Sequence, residues 1–184
     1  IFDINTKIAR IRSAAYIHSK NLFTKDAIPV DVQLSPEKLV CEHIEQLIQY
    51  PGALQVLEFG NGQAKLVAAK VSHEGLLVGQ KISALKEHIP NTEGRIAAIY
   101  RDGQPLLPDG DTIIRADDEV FFIAAKKDIR ALMTEMRKIE SPVRRVLIAG
   151  GGHIGVRLAS ALEKTNQVKI IEHDPVRAKL ISEK

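Results

Sequence analysis

The stretch Val146–Lys164, VLIAGGGHIGVRLASALEK, constrains this chain more than any other, because Gly150, Gly152 and Gly155 fall at the spacing G-x-G-x-x-G. The pattern asks for a strand, a tight turn and a helix whose N-terminus faces a phosphate. Only 34 residues follow the first of these glycines in a chain of 184. A βαβ unit alone takes about 30 residues, and a dinucleotide-binding sheet joins two such halves. The chain is therefore expected to open a nucleotide-binding fold and to stop partway through it.

The surroundings of the loop fit that expectation. RRVLIA supplies a strand before the turn, and IGVRLASALEK supplies a helix after it, with Ile154, Leu158, Ala161 and Leu162 on one face. QVKIIEHD supplies a second strand, ending at Glu172, 17 residues beyond Gly155 (172 − 155) and close to the ~20 expected of a ribose-binding carboxylate. In such a cradle Gly150 permits the turn, Gly152 lets backbone N–H groups reach a pyrophosphate, and Gly155 lets helix and strand pack closely. Glu172 would accept both ribose hydroxyls, and its charge would repel a 2′-phosphate, favouring NAD over NADP. The candidate binding set is Gly150, Gly151, Gly152, His153, Ile154, Gly155 and Glu172. His153, inside the loop, either pairs with phosphate when protonated or faces solvent. A strand–helix turn that binds nothing is the competing reading of the whole stretch. Asp174-Pro175 reads as the cap and first residue of a further helix.

The rest of the chain falls into three parts. TKIARIRS (6–13) alternates like a strand, and the segment from Ala14 to Pro29 reads as irregular. In LSPEKLVCEHIEQLIQYPG (34–52), Ser35 is an N-cap candidate, Pro36 fits the first helical position, and Pro51-Gly52 ends the run. Val40, Ile44, Leu47 and Ile48 make one apolar stripe there. Between Ala53 and Glu140 strands and turns dominate. Turns are expected at Gly60-Asn61-Gly62, at Asp102-Gly103 and at 108–111, with a short helix within 77–91. DEVFFIAA reads as a buried strand and Asp128 as the cap of a last helix, with Met133 and Met136 as core filler. Hairpin, helix, three strands and helix describe a small α+β domain.

No catalytic or metal constellation stands out. The six histidines lack metal-site spacing, and Cys41 and His43, two apart on a helix, diverge. Asp117-Asp118-Glu119 reads as a solvated acidic turn, with a cation site as the lesser alternative. The chain is 45% hydrophobic and 27% charged, and no apolar run nears the ~18 residues of a membrane span. One cysteine excludes an internal disulfide and suits the cytosol. The net charge of +3, scattered basic pairs and absence of Trp give no nucleic-acid surface.

Three phrases carry a family resemblance: GQKISAL, RIAAIYRDGQPLLPDGDTIIRADDEVFFI and GGGHIG…IIEHD. With the preceding strand KIARIR and helix SPEKLVCEHIEQLI, their order resembles the TrkA-type regulatory subunits of bacterial Trk potassium uptake systems, within the RCK family. The resemblance spans essentially the whole chain and implies an internal fragment of a tandem protein. It implies a mixed α/β and α+β fold: the end of one Rossmann-like domain at 1–28, a crossover helix and linker at 29–52, an RCK C-terminal (TrkA-C-like) α+β domain at 53–140, and the first β-α-β-α half of a second Rossmann-like domain at 141–184. It further implies a regulator, not an enzyme, that binds NAD(H) or adenine nucleotides such as ADP and ATP. Such a subunit lies in the cytoplasm, peripheral on the inner face of the bacterial membrane, and gates a potassium-conducting integral membrane partner. It forms homodimers through the crossover helix and rings in the full assembly. An NAD-dependent oxidoreductase, with its catalytic part elsewhere, shares the fingerprint and is the alternative.

Overall fold

The structure is a computed structural model that describes residues 4–12, 16, 21–24, 27–138 and 141–183. Of the stretch read as irregular, 14–29, residues 14–15, 17–20 and 25–26 lie outside the described residues, as do Ser13 of the first strand and residues 139–140. The chain divides into two units, one made of residues 1–45 with 144–184 and the other of residues 46–143.

The second unit is built on a five-stranded antiparallel sheet. Its strands are β3 (Ala53–Phe59), β4 (Ala64–Lys70), β5 (Gly94–Arg101), β6 (Gln104–Leu106) and β7 (Glu119–Ala125), in the spatial order β3-β4-β7-β5-β6. Both expected hairpins form. At the second, Asp102 and Gly103 take φ of 51° and 75°, the two left-handed residues of the tight turn whose twist matches its strands. Between β4 and β5 the chain makes a 3-10 turn at Ile82–Ala84 that runs into α2 (Leu85–His88), the short helix expected there.

One face of this sheet carries the core. Val67, Val120, Phe122 and Ile99 are fully buried, together with Ile129, Leu132 and Met136 of α3 (Ile129–Met136). Each large apolar side chain removed from water contributes about 1.5–3 kcal/mol. The sequence expectation of a wholly buried β7 is corrected here. Val120, Phe122 and Ala124 point into the core, whereas Phe121 is half-buried and Ile123 is 38% exposed. An antiparallel sheet covered on one side alternates in this way.

Polar details also depart from expectation. Asp128 precedes α3, but its carboxylate caps nothing; it accepts from the Glu93 N–H at 3.3 Å instead. The acidic turn is not solvated at Asp118, which is buried. Its two oxygens take Nε and Nη2 of Arg101 at 2.8 Å each, and Oδ2 also accepts from the Arg115 N–H at 2.9 Å. Burial pushes the Asp118 carboxyl up, but the Arg101 and Arg115 hydrogen bonds outweigh it and hold the group below the usual carboxylate range. Lys65, on the core side of β4, is buried, ion-paired with Glu58 and set 5.1 Å from the Tyr50 ring centre.

In the first unit β1 (Ile8–Arg10) runs parallel to β2 (Val32–Leu34), so the strand expected over 6–13 is shorter than its alternation suggested. Helix α1 (Pro36–Gln49), whose residues from Gln46 onward belong to the second unit, starts from the Ser35 carbonyl, which accepts from Lys38 and Leu39 N–H at 3.0 Å. The Ser35 hydroxyl makes no cap bond and is buried without a partner among the described residues. Along α1 Cys41 is the buried residue. Its Sγ lies 3.6 Å from the Ile154 carbonyl oxygen, and burial pushes its thiol up, leaving it uncharged. Of the apolar stripe, Val40 is exposed and Ile44, Leu47 and Ile48 are half-buried. The same unit holds β8 (Arg145–Ala149), α4 (His153–Leu162), β9 (Gln167–Ile171) and α5 (Pro175–Ser182), with β8 parallel to β9 in the register Val146–Val168.

Candidate phosphate-binding loop

The loop between β8 and α4 is shaped by its own contacts. Gly150 takes φ of +104°, a conformation side chains resist, and its N–H donates to the Ile171 carbonyl at 2.8 Å, tying the turn to the end of β9. Gly155 is buried in the first turns of α4, where a Cβ would land on the Gly150 carbonyl oxygen and touch Ile148. Close approach of helix to loop therefore requires glycine at both ends of the fingerprint.

Gly151 and Gly152 differ in kind. A Cβ on Gly151 would strike the Ile181 side chain of α5 and reach Glu172 Oε2 at 3.0 Å. A Cβ on Gly152 would meet nothing within 4 Å. Gly152 is the N-cap of α4, with φ −73° and ψ −173°, and open space lies in front of it. Helix geometry leaves the first amides of α4 without carbonyl partners. Among the described residues the N–H groups of Gly152, His153 and Ile154 find no acceptor. Those amides, together with the positive end of the helix, suit an anion.

Glu172 lies beside the loop, its side chain only 4% exposed. Oε2 accepts from the Gly151 N–H at 2.7 Å, and Oε1 accepts from the Asp174 N–H at 3.0 Å and lies 2.9 Å from His173 Nδ1. The Asp174 and Gly151 hydrogen bonds hold its carboxyl below the usual range against the opposing effect of burial. The group is an ionised acceptor at neutral pH. Asp174 in turn caps α5, accepting from Val176 and Arg177 N–H at 2.9 and 3.3 Å, the cap its sequence implied.

The structure thus brings Gly150 to Gly155 and Gly151 to Glu172. It places His153 not inside the loop but as the first residue of α4, exposed, with Ile154 beside it at 40% exposure. The inward face of α4 is Gly155, Leu158 and Leu162; Ile154 and Ala161, expected on that face, are exposed. Sequence reasoning missed Ile181, whose approach to Gly151 depends on how α5 folds back. Among the described residues no group of three or more His, Cys, Asp or Glu could hold a metal ion. No helix of the described residues is long and apolar enough to cross a membrane.

Residues 66–137 match the TrkA-C domain family and residues 146–184 the TrkA-N domain family. The whole chain is 54% identical over 184 residues to the Trk system potassium uptake protein TrkA of Halomonas elongata and 44% identical over 185 residues to that of Haemophilus influenzae, covering 40% of each. A TrkA homolog of Archaeoglobus fulgidus is 30% identical over 95% of the chain and 39% of its own length. The chain therefore spans about two fifths of the curated relatives it matches. Among solved structures, the GsuK RCK domain aligns with TM-score 0.52 at 18% identity, over 93% of this chain and 36% of that one. A GsuK channel bound to NAD aligns with TM-score 0.51 at 13% identity, over 97% of this chain and 34% of the other. These two likenesses concern the fold, a mixed α/β arrangement with a TrkA-C type α+β part.

Proposed function

The chain belongs to the TrkA family, and on that premise we propose that it is part of a regulatory subunit of a potassium uptake system. In this reading residues 141–184 begin a nucleotide-binding domain and 53–140 form the TrkA-C-like domain. Residues 29–52 supply a crossover helix and linker, and 1–28 close an earlier nucleotide-binding domain. The subunit works in the cytoplasm, on the inner face of the membrane, as a homo-oligomer beneath a potassium-conducting membrane protein.

One observation supports nucleotide binding above the others: the unfilled space before Gly152, at the open N-terminus of α4, flanked by the ionised carboxylate of Glu172. Gly150, Gly151, Gly152, His153, Ile154 and Gly155 would take the pyrophosphate, and Glu172 a ribose. The ligand is NAD(H), or an adenine nucleotide such as ADP or ATP, whose diphosphate and ribose offer the same groups. A regulator needs two states that bind this ligand unequally. The oxidoreductase reading finds no support among the relatives, which carry uptake names.

Calorimetric titration of the chain with NAD, ADP and NADP tests the proposal. NAD and ADP are expected to bind, NADP more weakly, and Glu172→Ala to narrow that difference. Equal affinity for NADP in the wild type would remove Glu172 from the ribose, and no binding of any of the three would remove the site.

A further inference from the structure

Where α1 ends, Tyr50 and Pro51 stand across a small cleft from one side of α3, wholly within the second unit. With Met133 they form its apolar wall, and Arg130, Arg137 and Lys138 stand around it. Arg130, Met133 and Arg137 fall at i, i+3 and i+7, the spacing of one helical face. No carboxylate among the described residues lines the cleft. Its enclosed volume is about 30 Å³, room for a group of a few heavy atoms.

The two arginines differ in how they are held. Arg137 Nη1 donates to the Gly52 carbonyl at 2.9 Å. Gly52, at φ +85°, leaves the room for this, since a Cβ there would fall on the guanidinium. Arg130 makes no side-chain hydrogen bond or ion pair among the described residues, and Lys138 is shared with Glu74 at 3.2 Å on the open surface. Cations near a helix C-terminus often serve that helix's last carbonyls. Arg130 serves none, although α1 ends beside it with no basic residue in its own last turn.

We propose that this cleft binds a small organic carboxylate, its apolar body against Tyr50, Pro51 and Met133 and its carboxylate on Arg130 and Arg137. A guanidinium meets the two oxygens of a carboxylate with two parallel N–H donors. Inorganic phosphate fits poorly, because its charge would face the apolar wall with no body to cover it. A nucleotide is far larger than the enclosed space, so the site is separate from the loop before α4. The occupant joins the last turn of α1 to α3. Its small contact area sets a dissociation constant at about the millimolar level.

The chain has two methionines, so carbon-13 labelling of their methyl groups gives one signal from the cleft wall, Met133, and one from the buried core, Met136. Met133→Leu assigns them, since leucine replaces methionine at little cost. Benzoate is expected to move the Met133 signal saturably, with a midpoint of about 1–10 mM, and to leave Met136 nearly in place. Benzamide, which keeps the ring and lacks the charge, should bind at least about tenfold more weakly. Benzoate should lose a similar factor on Arg130→Gln, a variant that keeps its Met136 signal because Arg130 is exposed. Inorganic phosphate at matched ionic strength should move neither signal. The proposal is overturned if benzoate shows no saturation up to about 50 mM, or if benzamide or Arg130→Gln reproduces the wild-type benzoate curve. It is equally overturned if phosphate moves Met133 as far as benzoate does, or if Met136 moves as far as Met133.

Discussion

Replacing Gly152 and Gly155 separately by alanine divides the loop's architecture from its occupancy. At Gly155 the new Cβ falls on the Gly150 carbonyl oxygen, so helix and loop must part by about an ångström. Overpacking of this sort costs about 1–3 kcal/mol. Alanine regains about 1 kcal/mol over glycine inside a helix. A backbone carbonyl yields less readily than a side chain, which places the net loss at about 1–2 kcal/mol. At Gly152 the Cβ meets nothing and φ is −73°, so no strain arises. Restricting the unfolded chain gains about 0.4–1 kcal/mol, and a poorer N-cap loses about 0.5–1 kcal/mol. The two cancel to within about 0.5 kcal/mol. Hydrogen exchange over peptides covering 145–171 should therefore quicken in Gly155→Ala and stay unchanged in Gly152→Ala. Calorimetry with ADP should reverse the emphasis, with Gly152→Ala losing at least about tenfold in affinity because its methyl would occupy the space proposed for the phosphate. Wild-type affinity in Gly152→Ala would refute the reasoning, since the open space would then serve no ligand.

Asp118→Asn should destabilise the second unit by about 2–3 kcal/mol in urea, less than for a fully buried pair because the Arg101 side chain is 23% exposed. Because the folded carboxyl of Asp118 titrates below its unfolded value, its stabilisation is complete above about pH 4. It fades as the pH falls through the lower folded value. Urea midpoints at pH 7 and pH 3 should thus converge between wild type and Asp118→Asn, and a gap that widens in acid would contradict that sign. Lys65→Met should change stability by less than about 1 kcal/mol, since a methionine fills the buried stem and removes a charge that costs desolvation; a larger loss would show that the Glu58 pair is a net stabiliser.

The local signals in the sequence were enough to find the elements, and less so to find their partners. The glycine run with strand residues before it and an apolar helix behind it located β8, the loop and α4, because those features depend on neighbours a few residues apart. Asp102-Gly103 located a hairpin for the same reason. Asp118 looked like any acidic turn residue, since its partner Arg101 sits 17 residues away and only the antiparallel pairing of β5 with β7 brings them together. The inward face of α4 was misjudged at Ile154 and Ala161. Helical spacing allows several stripes, and the close approach at Gly155 decides which one turns inward. Ser35 resembles a cap by type, yet its hydroxyl stays unbonded, because residue type does not fix a rotamer. Of the candidate site, the backbone donors could be read from spacing. The internal bond that Glu172 makes to Gly151 could not.

That bond gives the last turn of the chain an unexpected role. Glu172 grips the loop through one oxygen and the Asp174 amide through the other, and Asp174 anchors the start of α5. A ribose hydroxyl donating to the same carboxylate would share it with both grips, so occupancy of the loop would be linked through Glu172 to the start of α5. Ile181, wedged against Gly151 from the far end of that helix, closes the circuit mechanically. The segment would behave as a seesaw a dozen residues long, pivoted on one glutamate, able to turn ligand occupancy into a shift in where α5 rests.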